Sequence, residues 1–197
     1  MSPKLPREFY AQDTLTVAQA LIGTTLAHRI DGIVRRGRIV ETEAYQGPED
    51  LAAHSAKGHT ARNSAMFGAP GHAYVYLIYG MWNCMNVVTR EAGVPHAVLI
   101  RAVEPLNQLD DKTHGPGLLC RAFDIDRRLN GVDLLGNTLW LEARSGAAPQ
   151  IASSPRIGVD YAGEWAQLPW RFYDKQSAHV STLSNAQRRR LRAPKAS

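Results

Sequence analysis

Cysteine is scarce: Cys84 and Cys120 are the only two in 197 residues, they lie far apart, and no CxxC occurs. This leaves little ground for a disulfide scaffold or a cysteine-based zinc site, and buried reduced thiols are expected. Long apolar runs are missing too. None reaches the length that crosses a bilayer, and the opening MSPKLPREFY lacks the apolar core of a signal peptide. A soluble, cytoplasmic protein without a membrane partner is expected. There is no Walker loop, no GxGxxG and no GxSxG elbow. The H-x-E and P-C-x-x-C pair of zinc deaminases is absent. His54, His59, His72, His96 and His114 follow no regular ligand spacing, so neither a metal nor a cofactor is expected.

What is present is an ordinary globular composition, 44% hydrophobic and 21% charged, over a length that suits one good core. The net charge of +5 suggests an anionic partner. Yet Arg188, Arg189, Arg190, Arg192 and Lys195 carry five of the positive charges, which leaves the remaining body formally neutral. Bulk charge therefore does not argue for nucleic acid. We read residues 1–187 as one domain and 188–197 as a basic, disordered tail, with phosphate contact by that tail as the alternative.

Asp13 is placed to cap a helix running from Leu15 to Ile22 and ended by Gly23. Residues 24–30 read as a strand, Asp31-Gly32 as a two-residue hairpin turn, and 33–45 as the return strand with a break at Gly37. Period two sets Ile39, Glu41, Glu43 and Tyr45 on one face, and Val40, Thr42 and Ala44 on the other. Residues 51–54 suggest a helical turn, and 56–72 a long ordered loop of the kind that is commonly functional. Strands are expected at 73–79, 81–88, 97–103, 138–143 and 156–160, with Trp170 to Tyr173 extended. Gly115-Pro116 should open a helix, and 163–167 a short one. The fold class is α+β, a single compact domain around an antiparallel or mixed sheet.

Two blocks carry the chemistry: IVETEAYQGPEDLAAH at 39–54 and YVYLIYGMWNCMN at 74–86. Glu41 and Glu43 share a strand face, so either could activate water as a general base, and both together suit a glycosidase. For at least one of them, a solvated side chain or pairing with an arginine is the plainer reading. Spacing alone does not rank them. Arg101 interrupts the apolar AVLIRAV strand, which demands a buried partner. Tyr74 and Tyr76 share one side of their strand and Tyr79 points to the other. Aromatic strand packing accounts for any one of them. The functional alternative is that Tyr76 stacks on a planar substrate while Tyr79, at the tip before Gly80, projects as a wedge.

At these residues the chain resembles the 3-methyladenine DNA glycosylase family of the alkyladenine (methylpurine) type. The resemblance runs through VETEAYQGPEDLAAHS, Met66 to Gly71, YVYLIYGMWNCMN, LIRAVEP, GPGLLCRA, RIGVDYAGEW and PWRFY. It implies a compact α+β fold with an antiparallel sheet, distinct from helix-hairpin-helix glycosylases. The implied activity is monofunctional: hydrolysis of the N-glycosidic bond of damaged purines in double-stranded DNA, with no lyase step. Accepted bases would be 3-methyladenine, 7-methylguanine, hypoxanthine and ethenoadenine. Glu43 would be the general base and Glu41 its structural partner. Arg101 and the Ile157 carbonyl would hold the attacking water. Tyr45 and Tyr76 would sandwich the extruded base, with His54 on the opposite edge and its backbone reading the base. Asn86 would crowd the purine 2-position, and Tyr79 would fill the gap in the duplex. A monomer acting at the nucleoid is implied. Trp82 stands where the family often has a smaller aromatic.

Two other classes compete with this reading. A glycoside or nucleoside hydrolase could use Glu41 and Glu43 on a free small molecule, but it has no need of a protruding Tyr79. A non-catalytic nucleic-acid-binding module could use the tyrosines as a stacking platform, but it leaves an acidic pair facing a polyanion unexplained.

Overall fold

A computed structural model describes residues 2–107, 109 and 112–182; the basic run at 188–197 and the domain limit drawn at 187 lie outside them. The first helix, α1 (Arg7–Tyr10), is a single turn. The second, α2 (Thr14–Ala20), begins as its sequence dictates: the Asp13 carboxylate accepts from the backbone N–H groups of Leu15 (3.0 Å) and Thr16 (3.2 Å). These are two of the donors that a helix start leaves without partners. The helix stops at Ala20, short of Ile22, and Gly23 at φ 90° turns the chain into strand β1 (Thr25–Ile30). Asp31 (φ 48°) and Gly32 (φ 81°) make the tight hairpin into β2 (Ile33–Gln46), pairing Ile30 with Ile33.

The remaining strands are β3 (Ala73–Ile78), β4 (Trp82–Thr89), β5 (His96–Asn107), β6 (Leu139–Glu142), β7 (Ile151–Ser154) and β8 (Arg171–Asp174). They form one eight-stranded sheet in the order β3-β4-β5-β2-β1-β6, with β8 also on β2 and β7 beyond β8. Every pairing is antiparallel, as the α+β reading requires. β2 organises the sheet: β5 follows it from Arg36 to Gln46, while β1 and then β8 share its other edge. Helix α3 (Pro116–Phe123) starts at Gly115-Pro116 as expected, with proline where its missing N–H is harmless.

The main core lies between these helices and the sheet. Tyr10, Val17, Leu21, Ile22, Leu119 and Phe123 pack there with Ile39, Ala44, Val98 and Ile100 of the central strands. Side chains of this kind contribute roughly 1.5–3 kcal/mol each when fully buried. Gly37 is where β2 passes closest to this layer; a Cβ there would lie 2.8 Å from Val103 and 3.1 Å from Phe123.

Two β-bulges correct the expected alternation. Ile39 pairs with Val103 but Glu41 with Ala102, so Val40 is an extra residue on β2; Thr42 then pairs with Ile100, so Arg101 is an extra residue on β5. Ile39 consequently joins the core with Ala44, and the Thr42 hydroxyl bonds the Ala18 carbonyl of α2 at 2.8 Å. Ile39 thus does not share a face with the glutamates. Glu41, Glu43 and Tyr45 turn together to the far side of the sheet. Bulges re-aim side chains in this way beside functional sites.

The strand expected at 156–160 is absent. The ladder on β8 is taken by Ile151–Ser154, and the chain then turns at Gly158 (φ 75°) into a 3₁₀ segment, Asp160–Gln167, that is broken by a kink at Gly163 (φ 60°). The loop at 56–72 is ordered and carries a 3₁₀ helix at Ser64–Phe67. No helix among the described residues is long and apolar enough to cross a membrane. Replacing the cap by Asp13→Ala should lower the unfolding free energy by about 1 kcal/mol. Urea titration should show an earlier midpoint at an unchanged slope.

Candidate active site

The far face of the sheet, opposite the main core, floors a cavity of about 560 Å³. Strand alternation supplies its lining: Tyr74, Tyr76 and Ile78 from β3; Trp82, Cys84 and Asn86 from β4; Ala97, Leu99 and Arg101 from β5. Tyr45 from β2, His54, and the turn Ile157 to Val159 close it, and Tyr79 and Tyr161 stand at its edge. The structure thus gathers seven of the eight sequence-derived residues into one cavity lining: Tyr45, His54, Tyr76, Tyr79, Asn86, Arg101 and Ile157. The eighth, Glu43, is fully buried directly behind that lining, and all three of its donors reach the cavity.

Those donors are the Ile157 backbone N–H to Oε1 (2.8 Å), and the Tyr45 hydroxyl (2.9 Å) and Arg101 Nη1 (3.2 Å) to Oε2. Glu41 is held differently. Its Oε1 accepts from Arg101 Nε (3.0 Å), Arg171 Nε (2.7 Å) and Ser181 Oγ (2.8 Å), and its Oε2 from the Ser181 N–H (2.6 Å). Burial pushes its carboxyl upward, but Arg101 and Arg171 outweigh burial and hold it below the usual glutamate range. Geometry separates what spacing left equal: Glu41 is an enclosed ionic anchor, whereas Glu43 stands against the cavity. Arg101 ties both carboxylates and is held protonated by them against its own desolvation.

The aromatic walls are fixed by polar contacts at their backs. His54 Nδ1 lies 2.8 Å from the Tyr74 hydroxyl. The His54 ring meets Tyr76 edge-on at 4.4 Å between centroids, and Tyr74 and Tyr76 are 5.3 Å apart. Where the sequence set His54 on an edge opposite the tyrosines, here it packs against Tyr76 as part of the same wall. Desolvation, then Arg62 and Lys57, lower the His54 pKa below its ordinary value and favour a neutral ring. Burial above all, followed by Cys84, keeps the Tyr76 phenol protonated. Tyr45 is likewise protonated, by burial and then by the Glu43 charge.

Tyr45 is backed by Arg156, whose guanidinium lies 4.8 Å from the Tyr45 ring centre and 5.1 Å from that of Trp170. Arg156 makes a two-pronged, fully buried pair with Asp50 (2.5 and 2.8 Å) and bonds the carbonyls of Ala44 (2.8 Å) and Trp165 (3.0 Å). That pair fastens the turn holding Ile157 to β2. Sequence reasoning missed it, because neither residue interrupts an apolar run. Arg171 was also missed, although it sits in the apolar PWRFY stretch and offers the signal that singled out Arg101.

Asn86 is buried, and its side-chain N–H₂ bonds the Tyr74 carbonyl at 3.0 Å. Tyr79 is the opposite case, 84% exposed at the tip of the β3–β4 hairpin. The turn closes with Met81 N–H to the Ile78 carbonyl at 3.2 Å. Tyr79 (φ 53°) and Gly80 (φ 70°) are both left-handed there, the conformation that matches strand twist but strains a tyrosine. No group of three or more metal-ligating side chains occurs among the described residues.

Comparisons with known proteins identify the family. The family model described as Methylpurine-DNA glycosylase (MPG) matches residues 8–178. A protein of Anaeromyxobacter dehalogenans (strain 2CP-C), named "Putative 3-methyladenine DNA glycosylase", is 54% identical over 179 residues, 90% of this chain and 86% of its own length. A protein of Legionella pneumophila (strain Corby) with the same name is 53% identical over 180 residues, 90% of this chain and 98% of its own. A third so named, from Methanocella arvoryzae (strain DSM 22066 / NBRC 105507 / MRE50), is 52% identical over 192 residues, 91% and 96% of the two chains. The chain belongs to the methylpurine-DNA glycosylase family.

Proposed function

We propose that this protein extrudes a damaged purine from duplex DNA and hydrolyses its N-glycosidic bond with a water activated by Glu43. One observation carries the reading: a buried carboxylate sits behind an aromatic cavity, and its donors all line that cavity. An ionised carboxylate has about four acceptor sites. Glu43 Oε2 already takes two donors and Oε1 one, so Oε1 retains a lone pair beside Ile157. A water there, steadied by the Ile157 carbonyl and Arg101, gives its proton to Glu43 as its oxygen attacks C1′ of the sugar. The C1′–N bond breaks, and its electron pair leaves with the base. The sugar gains cationic character as that bond lengthens, and the same carboxylate stabilises it. With water as nucleophile, no enzyme amine joins the sugar, and no lyase step follows.

The base reaches this site only outside the stack, an extrusion that costs a few kcal/mol. Tyr79 offsets part of that cost by entering the space the base leaves. Tyr45 lies on one face of the base, with Tyr76 and His54 on the other; the rings favour flat purines, and electron-poor alkylated ones gain further. Asn86 crowds the purine 2-position against the amino group of normal guanine. The accepted set is 3-methyladenine, 7-methylguanine, hypoxanthine and ethenoadenine. Glu41 is engaged by four donors, which disfavours a two-carboxylate glycosidase that needs one of its carboxyls protonated.

Glu43→Gln should keep binding to hypoxanthine-containing duplex and lose excision by at least 100-fold in single-turnover assays. Wild-type excision by this variant would overturn the assignment of the base. Glu41→Gln should act through stability instead, lowering the unfolding free energy by about 3–5 kcal/mol as buried Arg171 loses its carboxylate and Arg101 one of its two. Because the folded pKa of Glu41 is depressed, its stabilising effect is fully present above about pH 5 and fades as pH falls through that folded value. Thermal melts should therefore separate wild type from Glu41→Gln at neutral pH and converge in acid. Tyr79→Ala should weaken capture of the extruded state about tenfold, read as tighter-to-weaker binding of lesion duplex against undamaged duplex.

A further inference from the structure

The cavity mouth has two lips. One is the β3–β4 hairpin tip, with Tyr79 and Met81 exposed. The other is the start of the kinked 3₁₀ segment Asp160–Gln167, where Tyr161 is 72% exposed yet lines the same cavity. Leu51 and Ile157 are further exposed apolar side chains beside this second lip. Large apolar rings left in water serve no core, and exposed apolar groups collected around one opening mark a contact surface.

Tyr161 is held in place. Its hydroxyl donates to the Ala52 carbonyl at 3.3 Å, joining its lip to the loop after β2. The turn beneath it is fixed by Gly158 (φ 75°) and by the buried Arg156–Asp50 pair. The bond uses only the hydroxyl and leaves the ring free. Burial above all raises its phenol pKa, against the influence of Arg156. Asp160 and Glu164, one residue before Tyr161 and three after it in sequence, are exposed. They repel phosphate, so this lip suits a base or sugar face rather than the charged backbone.

We propose that Tyr161 is a second aromatic contact to the DNA, stacking on the damaged strand where it enters the cavity, across the mouth from Tyr79. The inference rests on the glycosylase reading: a strand that delivers its base into the cavity must cross this rim. Tyr79 occupies the vacated stack, and Tyr161 covers the exposed sugar and neighbouring base on the outer side.

The test is single-turnover excision of hypoxanthine from duplex DNA, measured against enzyme concentration for wild type, Tyr161→Ala and Tyr161→Phe. Tyr161→Ala should raise the half-saturating concentration about tenfold, the size expected for one aromatic–nucleotide stack, with an unchanged thermal midpoint. Tyr161→Phe, which keeps the ring and loses the Ala52 bond, should stay within twofold of wild type. A half-saturating concentration for Tyr161→Ala within twofold of wild type would overturn the proposal. So would an equal loss in Tyr161→Phe, because the Ala52 tether and not the ring would then be what matters. In either case the wild-type excision measured alongside leaves the glycosylase reading standing. Absence of base release by wild type from duplexes carrying any of the damaged purines would instead remove that reading and this inference with it.

Discussion

One buried cation organises the site. Arg101 is the extra residue of a β-bulge on the strand facing Glu41 and Glu43, and it bonds both carboxylates at once. Two carboxylates two residues apart on one buried face repel each other strongly, and neither is tolerated there uncompensated. Arg101 solves the problem locally. Alternation already carries Arg101 away from Val98 and Ile100, which fill the core, and beside the bulge its side chain lies between the two acids. The matching bulge at Val40 restores the register. By plain alternation with Ala97 and Leu99, the most apolar strand of the sheet thus contributes a guanidinium to the far face.

From that anchor the site follows outward. Glu41 is completed by Arg171 from β8 and by Ser181, so the strand edge that β8 covers also helps neutralise this acid. Glu43 is left with Arg101, the Tyr45 hydroxyl and the Ile157 N–H. One of these donors belongs to a wall of the cavity and one to the turn fixed by Arg156 and Asp50. The carboxylate and the surfaces that would receive a base are therefore parts of one hydrogen-bonded assembly. Rigid placement of this kind is what a reaction limited by geometry and charge requires. Tyr79 and Tyr161 lie outside the assembly, exposed on the two lips. Side chains that must meet a large partner can remain so.

Much of this was legible in the chain. Asp13, Asp31-Gly32 and Gly115-Pro116 mark their elements by local chemistry that tertiary packing did not override. The demand that Arg101 find a buried partner was likewise met. The face of Ile39 was not legible, because period two assumes an unbroken ladder and a bulge has no composition signal of its own. Nor was the end of the RIGVD segment as a strand, since alternation does not reveal that β8 already had its neighbour in residues 151–154. The ranking of Glu41 and Glu43 depended on donors 58 to 140 residues away in sequence, beyond any local pattern. The family resemblance carried that choice; in the structure Glu41 takes four donors and Glu43 three.

The central claim is that this cavity exists to release a damaged purine to water. Its most direct test is incubation of the protein with duplexes that each carry one of 3-methyladenine, 7-methylguanine, hypoxanthine or ethenoadenine, followed by chromatography of free bases and analysis of the strand. The expected result is release of free base from at least one lesion duplex, leaving an intact strand with an abasic site and no borohydride-trapped protein–DNA adduct. Release from free nucleosides as fast as from duplex, or no release from any of the four, would contradict it.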